Sequence, residues 1–368
     1  MMTTVKISDR QFRILVILFT VGSTILITPA TLAKNAKQDA WMVPLVSMAI
    51  GLLNIWFFTK VAYLYPDKTF VECLEALLGK WLGKAVGLMF AFWGFITSAA
   101  LVWYVGNFIT SQFMPETPEF VTNLLFVSIM IFALRLGIET IAHAAEILVP
   151  WIIVLFIAVV ILLLPEVKFE NLLPVMENGF KPIIKATIIH SSILTYPLIA
   201  LLMVFPCSVT HTKKTKKEFY IGYLIGGSMI FLTSLFTILV LGSDITSISQ
   251  FPSFLLAKKI SIGNILERME GIVAVIWIIT IFFRTLFYLY TGFMGLSQVL
   301  RLKDYKYILL PSGLILAVLS LIVYPNPAYA SEWNTTTWVP FVGTFALILP
   351  LVLLMVAVFR KKSKTKGH

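Results

Sequence analysis

The sequence predicts an all-α polytopic membrane protein of ten transmembrane helices, arranged as a 5+5 inverted repeat in which helices 1 and 6 are unwound. Three observations carry that expectation. The 368-residue chain is 59% hydrophobic and 13% charged, whereas a soluble chain is typically about 25% charged. Its apolar stretches recur at lengths near the roughly 20 residues that a membrane span requires. Two of them, the first and the sixth, are interrupted at mid-depth by small hydroxyl residues and a proline.

Taken in order, the spans fall near residues 11–33, 40–64, 84–113, 118–138, 141–164, 182–206, 219–241, 271–299, 306–324 and 338–359. They form a single transmembrane domain over 1–368, with repeat 1 at about 11–164, repeat 2 at about 182–359 and a basic cytoplasmic tail at 360–368. No cleavable leader is expected, because the first apolar stretch is long and has no small-residue cleavage site. An even number of spans places both termini on one side of the membrane. Twenty of the 29 Lys and Arg residues fall on that side and eight on the other, which makes the shared side cytoplasmic. The net charge of +11 is thereby explained as membrane topology, and no nucleic-acid partner is expected. Cys73 and Cys207 are too few for a disulfide framework.

Two segments are too short to span. Phe70–Lys80 alternates apolar and charged residues and reads as a helix on the cytoplasmic interface. Ser253–Arg268 reads as a helical cap between spans 7 and 8 on the other side. Gly79, Gly83 and Gly87, and again Gly222 and Gly226, recur every four residues and mark faces where helices pack closely.

Span 1 carries Gly22-Ser23-Thr24-Ile25-Leu26-Ile27-Thr28-Pro29. Glycine weakens a helix, Ser and Thr redirect hydrogen bonds, and proline removes a donor and clashes with the preceding turn. Residues 22 to 28 are therefore a candidate break. Span 6 repeats the pattern in His190-Ser191-Ser192-Ile193-Leu194-Thr195-Tyr196-Pro197. Interruptions at corresponding positions of two halves point to a site at the midplane of an inverted-repeat transporter fold. A single such break is equally what an ordinary membrane helix tolerates when its neighbours repair the freed backbone.

Arg284 lies midway along span 8, where an unpaired guanidinium is costly and must face a cavity or a partner. Tyr288, four residues on, shares its helical face. No carboxylate lies near the middle of any span, so Arg284 binds either carbonyls freed at a break or an anionic ligand group. On span 3, Trp93 and Thr97 offer an aromatic wall and a hydroxyl, which suit a pocket or a packed interface equally. His190 is expected to be a satisfied structural donor. The P-loop, G-x-S-x-G, H-E-x-x-H and paired C-x-x-C patterns are all missing from the sequence, so neither catalysis nor a cofactor or metal is expected. Asn334-Thr335-Thr336 matches a glycosylation sequon, a weak pattern that carries no functional expectation.

The run Gly22–Pro29, then Gly79-Lys80-Trp81-Leu82-Gly83 and Asn171-Leu172-Leu173-Pro174-Val175 with Gly179 and Pro182, resembles the endospore germination permeases. So do Phe205-Pro206 before a lysine-rich loop, Glu267-Arg268-Met269-Glu270 leading to Trp277, and Gly295-Leu296-Ser297. Those permeases are the B subunits of spore nutrient germinant receptors, and the resemblance spans essentially the whole chain. It implies a fold of the amino acid–polyamine–organocation superfamily and a small-molecule nutrient as ligand. It also implies A-type and lipoprotein C-type receptor subunits as partners, in the inner membrane of the spore with both termini on the core side. Carried over position by position, the ligand-binding residues are Gly22, Trp93, Thr97, Thr195, Tyr196, Pro197, Arg284 and Tyr288, to which the first break itself adds Ser23 and Thr24 as candidates. Where many members have an acid shortly after the second break, this chain reads Leu198-Ile199-Ala200. The alternative is an amino acid secondary transporter of the same superfamily; a third reading is a membrane scaffold with a vestigial pocket.

Overall fold

Ser8 starts the first helix with a reciprocal cap. Its hydroxyl accepts from the Gln11 amide at 3.2 Å, and its own amide donates to the Gln11 side chain at 2.9 Å. The apolar run that follows is a helix at once, α1 (Asp9–Val21), and the next helix, α2 (Thr24–Ala36), begins after only two residues. The computed structural model describes residues 6–260 and 269–365. Among them the elements are helical apart from one isolated bridge between Ile7 and Val209.

The chain continues through α3 (Met42–Ala62), α4 (Phe70–Leu78), α5 (Lys80–Gln112), α6 (Glu119–Leu136) and α7 (Ile138–Leu163). Then come α8 (Phe180–Leu194), a 3₁₀ segment over Tyr196–Met203, α9 (Thr212–Ile248), α10 (Pro252–Ala257) and α11 (Glu270–Leu300). Last are α12 (Lys306–Ile322), α13 (Pro327–Thr335), α14 (Trp338–Gly343), a short π segment and α15 (Leu349–Thr365). These bounds fall within a few residues of the expected spans, except that α9 starts earlier and bends at Gly242 (φ 76°, ψ 169°). The protein is a multi-pass membrane protein. Among the described residues eight helical segments are long and apolar enough to cross a membrane, or nine if α12 and α13, bent by 98°, count as one. That differs from the ten expected. Thr24–Ala62 is a single apolar stretch by composition, and α1, at 13 residues, is too short to cross alone.

The packing around α9 separates the elements of that stretch by direction. Gly222 lies against Arg13 and Val16, Gly226 against Thr20, and Ile238 clusters with Leu32, Ala33 and Ala36. So α1 and α2 run one after the other, parallel to α9. Helix α3 runs the opposite way: Tyr63 stands over Lys216, Gly51 meets Tyr223, and Met48 meets Gly227. The chain turns back between them through a 3₁₀ turn at Lys37–Trp41, where Lys37 has φ 50°. The small faces at Gly222 and Gly226 let α1 lie directly on α9, as small residues do in membrane interfaces.

The short helix α4 is capped by Thr69 and Glu72. Its apolar face, Phe70, Val71, Cys73, Leu74 and Leu77, is buried against the protein. Gly83 is the reason, since a side chain there would strike the α4 backbone. Of the expected cap after α9, α10 is a buried single turn and a half, and residues 261–268, with Glu267 and Arg268, lie outside the described residues. At the end of the bundle near the N-terminus, Arg13 pairs with Glu218 at 2.9 Å, and buried Asp9 accepts from Thr215 at 2.5 Å. These contacts pin α1 to the start of α9.

Candidate functional site

The first break is narrower than residues 22–28. The Gly22 amide closes α1 on the Leu18 carbonyl at 2.9 Å, but Gly22 itself is non-helical (φ 15°, ψ −119°), and α2 resumes at Thr24. Pro29 sits inside α2 rather than ending anything. Having no N–H, it leaves the Ile25 carbonyl, four residues back, without its helical donor. The Ser253 hydroxyl of α10 donates to that carbonyl at 2.6 Å.

At the second break the proline lies at the interruption itself, and the carbonyl it frees is repaired differently. The α-helix ends at Leu194, Thr195 lies at φ −107°, ψ −42°, and the chain continues as 3₁₀ with Pro197 in its first turn. Pro197 frees the Ile193 carbonyl, and one guanidinium nitrogen of Arg284, Nη2, donates to it. The other, Nη1, donates to Thr24 Oγ1 at 2.8 Å. The cation also lies 5.2 Å from the Phe19 ring centroid and 6.0 Å from that of Tyr288. Arg284, only 2% exposed, thus joins the start of α2 to the end of α8. Gly22 makes room for it: a Cβ at Gly22 would stand 2.8 Å from Arg284 Cβ and closer still to Cδ. Of the two explanations the sequence left open, protein carbonyl and hydroxyl acceptors are the ones Arg284 meets.

Beside this bridge is a cavity of about 40 Å³ whose walls include Ser23, Thr97, Ile193, Arg284 and Tyr288. Thr97 faces it while donating to its own helix, at Trp93 O (2.7 Å). Trp93 is one layer behind, edge-on to Tyr288 at 5.4 Å and fully buried. Gly22 and Thr24 touch the bridge rather than line the cavity. Thr195, Tyr196 and Pro197 lie at the break but do not line the cavity; Thr195 Oγ1 accepts from Asn54 at 2.9 Å and donates to Ser191 O at 3.1 Å. Among the described residues no carboxylate lines the cavity. Neither ring nitrogen of buried His190 has a partner there, which differs from the satisfied donor expected.

The far wall was not anticipated. Tyr104, Tyr324, Asn334 and Trp338 complete it, with Asn334 Nδ2 donating to Tyr104 Oη at 2.7 Å and Trp338 Nε1 to Ser192 O at 3.0 Å. Asn334 arrives because α13 folds back by 98° from α12. Its only sequence signal was the dismissed Asn-Thr-Thr run.

A profile of spore germination proteins matches residues 6–328. The chain belongs to the spore germination protein family. Spore germination protein KB of Bacillus subtilis (strain 168) is 29% identical to it over 366 residues, covering 98% of this chain and 97% of that one. Spore germination protein YndE of the same organism is 23% identical, covering 98% and 99%. Among solved structures, MhsT in complex with L-phenylalanine superposes with a TM-score of 0.69 at 16% identity, covering 95% of this chain and 97% of that one. The nucleobase-cation-symport-1 family transporter Mhp1, in a closed conformation with bromovinylhydantoin bound, gives 0.68 at 13% identity, covering 94% and 77%. This member of the spore germination family therefore has the fold of these membrane transporters.

Proposed function

We propose that the chain is the membrane-embedded B subunit of a spore germinant receptor, and that a small nutrient binds at the cavity between the two helix breaks. The observation that carries this reading is the Arg284 bridge. A buried cation holds the two interrupted helices together beside a largely apolar cavity with a few polar groups, and its hydrogen-bond partners are neutral and exchangeable. A nutrient with a carboxylate or other electronegative group competes for the same guanidinium, because charge-assisted bonds are stronger than those to a carbonyl or hydroxyl. The cavity, about 40 Å³, is far below the roughly 300 Å³ at which small-molecule pockets begin. Binding therefore requires Arg284 to leave Ile193 and the wall at Asn334 and Trp338 to yield. That coupling turns occupancy into a change of helix position, which partner subunits read as a shifted equilibrium.

The same reading takes α1 and α2 as the halves of one span and α3 as the next, giving ten spans in two inverted sets of five, with repeats at about 11–164 and 182–359. Their opposite directions beside α9 support it. The charge bias supports cytoplasmic termini, on the core side of the spore inner membrane. A-type and C-type subunits are the partners.

The test is the nutrient response of spores carrying, at normal protein level, Arg284→Ala or Ala100→Leu, which fills the cavity from Ala100 in its wall. The response is expected to be lost in both; an unchanged response in both would reject the site. A second reading, an amino acid permease, draws on the shared transporter fold. Accumulation of labelled amino acid against a gradient by the reconstituted subunit alone would favour it.

A further inference from the structure

At the end of the bundle where α8 begins, an open groove of about 450 Å³ runs along the outside of the protein between α8 and the α13–α14 corner. Ile184, Ile188 and Val339 form its apolar walls, and Lys181 and Lys185 stand on its rim. Phe180, Ile184 and Ile188, at one-helical-turn spacing, are 70%, 59% and 47% exposed, as expected of a face turned to acyl chains. The two lysines have no such explanation. Among the described residues neither joins an ion pair. They lie in the first two turns of α8, where the helix dipole disfavours cations. They also lie on the lysine-poor side of the sequence.

We propose that this groove binds an anionic diacyl lipid, with Lys181 and Lys185 on the phosphate-bearing headgroup and an acyl chain along Ile184, Ile188 and Val339. Charge complementarity identifies the occupant: two unpaired cations above a hydrocarbon-faced trough match a lipid that is anionic at one end and apolar for the rest of its length. A soluble anion would leave the trough unused, and a zwitterionic lipid would leave the lysines unneutralised. The placement gives the lipid a consequence. Thr335 lines the groove and its neighbour Asn334 lines the cavity, so the lipid lies directly behind the helix whose Asn334 holds Tyr104. This site stands independently of the nutrient reading, because its test reads lipid rather than germination.

The experiment is lipid retention by the full-length protein, extracted from vesicles of phosphatidylcholine doped with phosphatidylglycerol and analysed by native mass spectrometry. The wild-type protein is expected to be enriched in phosphatidylglycerol. The Lys181→Gln/Lys185→Gln double variant is expected to lose that preference by roughly fivefold per lysine, while Lys258→Gln, a basic residue stacked on Phe254 elsewhere, keeps it. These substitutions are at exposed positions, and unchanged melting in phosphatidylcholine alone checks the fold. Equal enrichment in the double variant, equal retention of phosphatidylcholine, or displacement of the bound lipid by millimolar inorganic phosphate would each overturn the proposal.

Discussion

The prolines near the two helix breaks, Pro29 and Pro197, make the same lesion and lead to different structures. Each deprives a carbonyl four residues back of its donor, and a side chain from another element supplies a new one. At Ile25 the donor is the neutral hydroxyl of Ser253, reaching from a short helix. At Ile193 it is the guanidinium of Arg284, which also holds Thr24 at the other break. The first repair touches one break only and could be made by any hydroxyl. The second spans the cavity and makes the geometry of one broken helix depend on the other. A proline in a membrane helix is thus ordinary or functional according to what donates to the carbonyl it frees.

Exchanging the prolines breaks the comparison most sharply. Pro197→Ala restores an N–H that can satisfy Ile193 and release Arg284, so the nutrient concentration for half-response should shift by about tenfold, the equivalent of about 1.4 kcal/mol. Pro29→Ala restores the donor for Ile25 and should leave both response and melting temperature unchanged or slightly raised; similar losses in both would show that the breaks are equivalent. Gly22→Ala tests the bridge from the other break. Its methyl is driven into the Arg284 side chain at an overpacking cost of about 1–3 kcal/mol, read as a lower melting temperature with impaired response. Ser253→Ala removes a neutral hydrogen bond and should cost about 1 kcal/mol of stability, leaving nutrient sensitivity intact. Smallest is Asn334→Ala. Loss of the Tyr104 bond should cost about 0.5–1.5 kcal/mol and speed ligand release, measurable as faster dissociation in a binding assay.

Much of this was legible in the sequence. Apolar length placed the helices, and Gly22, Pro197 and Arg284 stood out because glycine, proline and a buried charge have strong local effects. The sequence could not show that Pro29 lies inside a restored helix, since its repair depends on Ser253, more than two hundred residues away. Nor could helical spacing be carried past Leu194. A 3₁₀ segment has about 3.0 residues per turn rather than 3.6, and neither Thr195 nor Tyr196 lines the cavity beside Arg284. The wall of Tyr104, Tyr324, Asn334 and Trp338 was hidden because the sharp fold between α12 and α13 assembles it from distant parts of the chain.

The most direct test of the Arg284 link is hydrogen exchange on the purified protein, comparing peptides over residues 20–28 and 190–198 with and without a nutrient identified by thermal-shift screening of amino acids and sugars. If the nutrient takes Arg284 from Thr24 and Ile193, protection changes at both breaks together, and Pro197→Ala abolishes the joint response. Binding that alters exchange at one break alone, or at neither, would contradict the account.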